Sequence, residues 1–216
     1  KRLIKTSDVF VESNNPRTVE NLGIDYPQLK DVNPALIMVR MPGYGISGPY
    51  RDRHGMAQTL EAFSGHTLLW GYPDMDPSTN VSSIFSNAAA GAGAASAVLM
   101  ALRLRRRTGK GQLIEFAQVE NFIPMIGQAI MDYVFNGRVQ TTMGNRDPSA
   151  APCGCYPCSG EWQWVNITVR NDEEWAGLRR ALGAPEWAED PRFATVLSRY
   201  GNQDELDSYI SEWTRS

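Results

Sequence analysis

Three cysteines stand together as CGCYPC, Cys153, Cys155 and Cys158, the densest group of metal-ligating or redox-active side chains in the sequence. CxC and CxxC spacings suit soft metals, but a structural zinc takes four Cys or His ligands. Only three thiols are present, and His54 and His66 lie far back in the chain. No metal site is therefore expected, and the cysteines read as apolar or loop residues in a reducing compartment. Lys110 in TGKGQ invites a phosphate-loop reading, because backbone amides and a lysine cradle phosphates. The spacing refuses it: the places of the first glycine and of the Ser/Thr after the lysine hold Leu104 and Gly111. GAGAAS (91–96) fails as a dinucleotide fingerprint, because it sits inside a predicted helix and follows no strand. Its small residues read as helix packing.

His54, Glu61, Asp74 and Asp76 are the polar residues near a loop rich in Gly, Pro and Arg, PGYGISGPYRDRHG. A loop histidine and two loop carboxylates read as solvated. Glu61, on an otherwise apolar helix, is the acid that burial could tune for proton transfer. Two histidines do not assemble a Ser/His/Asp or Cys/His set. Trp162 and Trp164 are expected to share a strand face, and Trp175, Trp187 and Trp213 to pack in helical contexts; no basic run adjoins them for base stacking.

The elements that position these residues follow from periodicity. Residues 1–7 read as the end of a helix, and DVFVES as a buried strand with no earlier element to pair with, as in an internal piece of a larger protein. NLGIDYPQLKDVNP reads as a short helix closed by Asn33-Pro34, and ALIMVRM as a second buried strand. Strand, helix, strand with short connections implies a parallel α/β unit. The Gly-rich loop follows the carboxyl end of that second strand, where ligands of open α/β sheets sit. MAQTLEAFSG reads as a helix stopped by Gly65, and GYPDMDPSTN as a loop. A long helix over residues 87–107 ends in three arginines suited to the negative helix end. TGKG then turns into the strand LIEFA, and VENFIPMIGQAIMDYVFNG reads as one helix ending at Gly137. Residues 138–151 read as a linker. Beyond it, EWQWVNITV alternates as a strand, and DEEWAGLRRALG and NQDELDSYISEWT read as amphipathic helices. The division expected is 1–137 as part of a large domain, 138–151 as linker and 152–216 as the start of a smaller mixed domain.

The 216 residues bury a real core, and an acidic excess of only three points to neither nucleic acid nor an anionic membrane. No apolar run is expected to reach the roughly 18 residues that span a bilayer. The N-terminus KRLIKTSDVF has no signal-peptide layout, so a cytoplasmic home is expected.

Together, DVFVESNNPRTVENLGIDYPQL, NPALIMVRMPGYGISGPYRDR, QTLEAFSG, GYPDMDP, AAAGAGAASAVLMALRLRRRTGKGQ, MGNRDPSAAPCGCYPCSGEW and PRFATVLSRYGNQDELDSYISEWT resemble the class III CoA-transferase family (CaiB/BaiF). The likeness runs through essentially the whole chain in order; RRRTGKGQ and the GYG-GPY loop carry most of it. It implies a Rossmann-like large domain with a parallel sheet plus a smaller α+β domain, in two subunits interlocked as rings. It also implies that the N-terminal fifth to quarter and the C-terminal third of a typical member lie outside this sequence. Members move CoA between carboxylic acids, and related branches racemise acyl-CoA. CoA is then substrate and ligand, with no separate cofactor, and the partner is a homologous subunit.

In the transferases an aspartate attacks the acyl-CoA thioester, four residues before the glycine that opens the small-residue helix. That glycine matches Gly91, so the nucleophile's position matches Asn87. An amide is a poor nucleophile. The resemblance thus implies either a non-nucleophilic subunit of a heteromer or an Asp-to-Asn variant. CoA-contacting positions match Ser13, Asn14, Asn15 and Asn21, then His54, Gly55, Met56 and Ala57. Asn15 and Asn21 stand where arginine is usual, and Met56 and Ala57 where polar residues often occur; Arg17, Arg51 and Arg53 are the nearby cations that could compensate. These polar-to-bland changes favour the degenerate subunit. The alternatives are a non-enzymatic acyl-CoA-binding or scaffold protein, and an acyl-CoA racemase or isomerase that moves protons with His54 or Glu61.

Overall fold

The computed structural model describes residues 1–80 and 84–216. They form two compact units: Lys1–Gly71 with Met75–Thr141, and Tyr72–Asp74 with Thr142–Ser216.

The first unit is built on a three-stranded parallel sheet in the order β1 (Val9–Glu12), β2 (Ile37–Arg40), β3 (Gln112–Glu115). Val9, Ile37 and Gln112 are in register at one end and Glu12, Arg40 and Glu115 at the other. All four residues of β2 are buried, as an apolar central strand requires. Two helices connect β1 to β2: α1 (Pro16–Asn21) and α2 (Tyr26–Lys30). Where one helix is expected, the chain breaks at Gly23, whose φ of +61° is left-handed, and restarts before Pro27.

From β2 the chain passes through the Gly-rich loop into α3 (Ala57–Ser64), α4 (His66–Leu69) and α5 (Phe85–Thr108). Gly65 stops α3 in the left-handed conformation, φ +92°. The 24-residue α5 runs back to the start of β3 and packs against β2, β3 and α3. It is long and apolar enough, by length and composition, to cross a bilayer, which corrects the expectation that no apolar run reaches that length. Alanine and glycine carry that count, and they also let the helix lie close to its neighbours through Ala89, Ala90, Ala94 and Ala101.

The turn TGKGQ proves structural. Gly109 ends α5 with φ +69°, and a Cβ on Gly111 would sit 2.0 Å from the Leu36 carbonyl oxygen. After β3 come α6 (Gln118–Phe122), a 3-10 turn (Ile123–Ile126) and α7 (Gly127–Asn136). Pro124, lacking an amide hydrogen, breaks what reads as a single helix. The N-terminal segment likewise holds only a 3-10 turn, Leu3–Thr6.

The second unit has a two-stranded antiparallel sheet, β4 (Cys153–Pro157) and β5 (Trp164–Thr168), with α8 (Asp172–Ala181), α9 (Val196–Gly201) and α10 (Gln203–Arg215). Tyr156, Trp175, Phe193, Leu206 and Ile210 form its core. Arg199 is wholly buried there: it donates to the Ala151 and Phe193 carbonyls and to Asp172 Oδ1, with its guanidinium over the Trp175 ring. Two expectations are corrected. Of the cysteines read as apolar or loop residues, Cys153 and Cys155 lie in β4 and Cys158 just after it, and Trp162 projects at φ +60° outside β5 instead of sharing a face with Trp164.

Candidate functional site

Glu12 and Arg40 end adjacent strands and form a buried ion pair, Nε to Oε1 2.9 Å. The other Glu12 oxygen accepts the backbone amide of Asn14 at 2.8 Å, which holds the loop after β1 over the carboxyl edge of the sheet. The far end of α5 is fixed at the opposite edge. There Arg105 donates to the Ala35 carbonyl at 3.1 Å and to Asp8 Oδ1 at 2.7 Å, both just before the strands begin. The first turns of α5 are thereby left at the carboxyl edge.

A cleft of about 540 Å³ opens between these elements. The β1 end contributes Glu12, Ser13 and Asn14, β2 is followed by Met41, α5 contributes Asn87, Ala90 and Gly91, and α6 opens with Gln118. It lies outside the carboxyl ends of parallel strands, the usual place for a ligand in such a sheet. A Cβ added to Gly91 would meet nothing within 4 Å, whereas one on Gly93 would come 2.5 Å from Asn121 Oδ1 and 2.7 Å from the Phe116 ring. Of the two glycines in GAGAAS, one keeps the cleft open and the other packs the helix.

The structure brings Ser13, Asn14 and Asn87 together in this cleft. Asn15 sits just beyond it: its Oδ1 caps α1 by accepting the Arg17 amide at 3.0 Å, and its Nδ2 donates to the Asp52 carbonyl. Asn21 ends α1 exposed to solvent. Residues 54–57 do not line the cleft. His54 is exposed, and Met56 is exposed at the start of α3. Gly55 packs against Gly43, where a Cβ would fall 3.0 Å from the Gly43 Cα, and Ala57 is buried with its carbonyl accepting from Ser86 Oγ at 3.4 Å. Arg17 and Arg51 are already paired, with Asp52 at 2.7 Å and Glu20 at 2.5 Å. The Gly-rich loop brings Tyr44 and Tyr50 together and packs both rings on Phe63 of α3, with the Ile46 amide on Glu115 of β3.

Glu61 is buried, and its Oε1 accepts the Ser86 amide at 3.1 Å. Asp76 caps a 3-10 turn, and the Ser78 hydrogen bonds to it hold its carboxyl below the usual range. Asp74 belongs to the second unit, where it lines a different cleft with Arg146, Asp204 and Asp207. Glu12, Met41 and Gln118 escaped the sequence reading. For Glu12 the signal was present: DVFVES and ALIMVRM each place a charged residue at the carboxyl end of an otherwise apolar strand.

Chemically the cleft is lined by neutral hydrogen-bonding groups beside the apolar Phe10, Val11, Met41 and Ala90. Asn14, Asn87 and Gln118 present amides, Ser13 a hydroxyl, and no cationic side chain is among the lining residues described. Gln118 Nε2 donates to the Met41 carbonyl at 2.7 Å, which fixes its carboxamide. Glu12 is the lining carboxylate, and both its oxygens are engaged. Such a surface suits a polar, uncharged group such as an amide or a thioester carbonyl, and it offers no free carboxylate to attack one.

The sequence model of "CoA-transferase family III" matches residues 1–216. The chain is 36% identical over 214 residues to a succinyl-CoA–D-citramalate CoA-transferase of Chloroflexus aurantiacus, covering 99% of this chain and 53% of the relative. It is 33% identical over 217 residues to the beta subunit of a succinyl-CoA–L-malate CoA-transferase of the same organism, covering 100% and 53%. A crystal structure of a CaiB/BaiF family protein from Brucella suis superposes with a TM-score of 0.89 at 32% identity, covering 100% of this chain and 56% of that one. The chain thus spans about half the length of the relatives it matches. With a match along its whole length and the same mixed α/β fold around a parallel sheet, this chain belongs to CoA-transferase family III.

Proposed function

We propose that the protein is a CoA-transferase subunit that binds acyl-CoA in the Asn87 cleft and works beside a homologous subunit that supplies the nucleophile. Asn87 carries this reading: it faces the cleft at the place where the family resemblance puts an aspartate. In that chemistry a carboxylate oxygen attacks the thioester carbonyl and CoA thiolate leaves, giving an anhydride. The thiolate re-attacks to give an enzyme thioester and free the first acid. The acceptor carboxylate then attacks that thioester, expelling the thiolate to form a second anhydride. The thiolate attacks the acceptor's acyl carbon, which gives the new acyl-CoA and frees the enzyme carboxylate. The attacking group must be nucleophile and leaving group in turn, which a carboxamide is not. The engaged state of Glu12 supports the reading, because it leaves no second carboxylate free in the cleft.

In this reading residues 1–137 belong to a Rossmann-like CoA-binding domain, 138–151 link it to a smaller domain begun by 152–216, and the subunits interlock in the cytoplasm. Asn15, Asn21, His54, Gly55, Met56 and Ala57 are the remaining CoA-contacting positions of that proposal. A relative that is the beta subunit of a transferase makes a heteromer the natural assembly to test. The test purifies the full-length protein alone and assays CoA transfer from a panel of acyl-CoA donors that includes succinyl-CoA. Little turnover alone, gained on Asn87→Asp or on adding an Asp-bearing homologue, is the expected result. Robust turnover that survives Asn87→Ala would sink the reading, and a homodimer that binds CoA without transfer under any condition would make the protein a binding module.

A further inference from the structure

The buried carboxylate of Glu61 has no part in the chemistry above, yet it meets the helix that presents residue 87. α5 opens at Ile84, a β-branched residue with φ +48° and no side-chain cap of its own. A helix start without a cap leaves amide donors to be satisfied from elsewhere. Among the described residues α3 supplies two acceptors to Ser86: Glu61 Oε1 takes its amide at 3.1 Å, and the Ala57 carbonyl takes its Oγ hydroxyl at 3.4 Å. Residues 57 and 61 are one helical turn apart and so share a face of α3. Ser86 is wholly buried and Glu61 is 2% exposed. On the cleft side Gly91 has open space where a Cβ would be, and Phe85 in the first turn packs edge-on against Phe122 of α6. The polar restraint described on Ser86 comes from α3, beside the ring contact of Phe85 with α6.

We propose that Glu61 is a positioning residue of the cleft: it holds the first turn of α5 so that residue 87 is presented to the ligand. The proposal rests on the reading of residue 87 as the place where the acyl end of CoA is held. Hydrogen–deuterium exchange at residues 86–88 and binding of acyl-CoA and of adenosine 3′,5′-bisphosphate are measured on the full-length protein and on Glu61→Ala, Glu61→Gln and Glu61→Asp. Glu61→Ala is expected to speed exchange at those amides and weaken acyl-CoA binding, each by about tenfold for a lost cap, with the bisphosphate affinity unchanged. Glu61→Gln, which keeps an acceptor oxygen at the same reach, is expected to restore both. If Glu61→Ala does not fold, Glu61→Asp, one methylene short, must still speed exchange. Wild-type exchange in the Ala or Asp variant overturns the proposal, as does equal loss of both ligands. If the wild-type protein binds neither ligand, the CoA reading fails and the exchange rates alone decide the role of Glu61.

Discussion

Arg40 Nε lies 2.9 Å from Glu12 Oε1 across two residues that are in register on neighbouring parallel strands, with 6% and 2% of their side chains exposed. One oxygen of Glu12 serves the strand partner and the other serves the Asn14 amide, so the pair couples the sheet to the loop that shapes the cleft.

Arg40→Met should therefore destabilise the protein by about 3–5 kcal/mol, the cost of stranding a buried charge. Arg40→Met combined with Glu12→Leu should recover much of that in urea unfolding. The double variant should still bind ligand poorly, because the Asn14 amide has lost its acceptor. A double variant with wild-type affinity would show that the pair has no hold on the cleft.

Gly93→Ala and Gly91→Ala should part in sign. The first drives a methyl into Phe116 and Asn121 and should cost about 1–3 kcal/mol. The second meets nothing and should raise stability by up to about 1 kcal/mol through helix propensity, while narrowing the cleft and weakening acyl-CoA binding. Thermal unfolding and ligand titration on the same two variants check both statements.

Asp132 accepts from Arg138, Asn136 and Gln140, and these hydrogen bonds, that of Arg138 foremost, lower its pKa to about 2. A carboxyl depressed on folding adds stability that is complete above its unfolded value, about 3.9, and is lost as pH falls toward its folded one. Unfolding between about pH 4 and 2 should steepen for this reason, and Asp132→Asn should remove that part of the slope. An unchanged acid limb in the variant would contradict it.

Tyr156 behaves in the opposite sense. Burial, aided by the 2.7 Å hydrogen bond to Asp207, pushes its phenol above the ordinary range. Its contribution is present below about pH 10 and lost as pH rises further. Ultraviolet titration should show a tyrosine step above the ordinary range, and Tyr156→Phe should remove the Tyr156 part of it at a cost of about 1 kcal/mol.

Much of the scaffold was legible because it is written in local chemistry. The apolar runs VFV and IMV marked β1 and β2, Gly65 and Gly137 marked helix ends, where both adopt a left-handed φ, and alternation marked β5. Breaks inside helices were harder to see. Gly23 and Pro124 sit within patterns that are otherwise periodic, and periodicity outweighed one residue in the reading. CGCYPC reads as apolar or loop residues and not as a strand, because its β pairing is made with residues 164–168, across a turn.

For the cleft, residue types alone marked the charged ends of two apolar strands and, through the family resemblance, Asn87. The sequence by itself determined the family, the parallel α/β class and the small-residue helix, since these depend on order and local pattern. Which side chains share one surface was decided only by the tertiary structure. Asn87 meets Ser13 and Asn14 because strand pairing and the packing of α5 join segments more than 70 residues apart, and no local pattern records that. The same packing buried Glu61 against Ser86 and kept residues 54–57 out of the cleft.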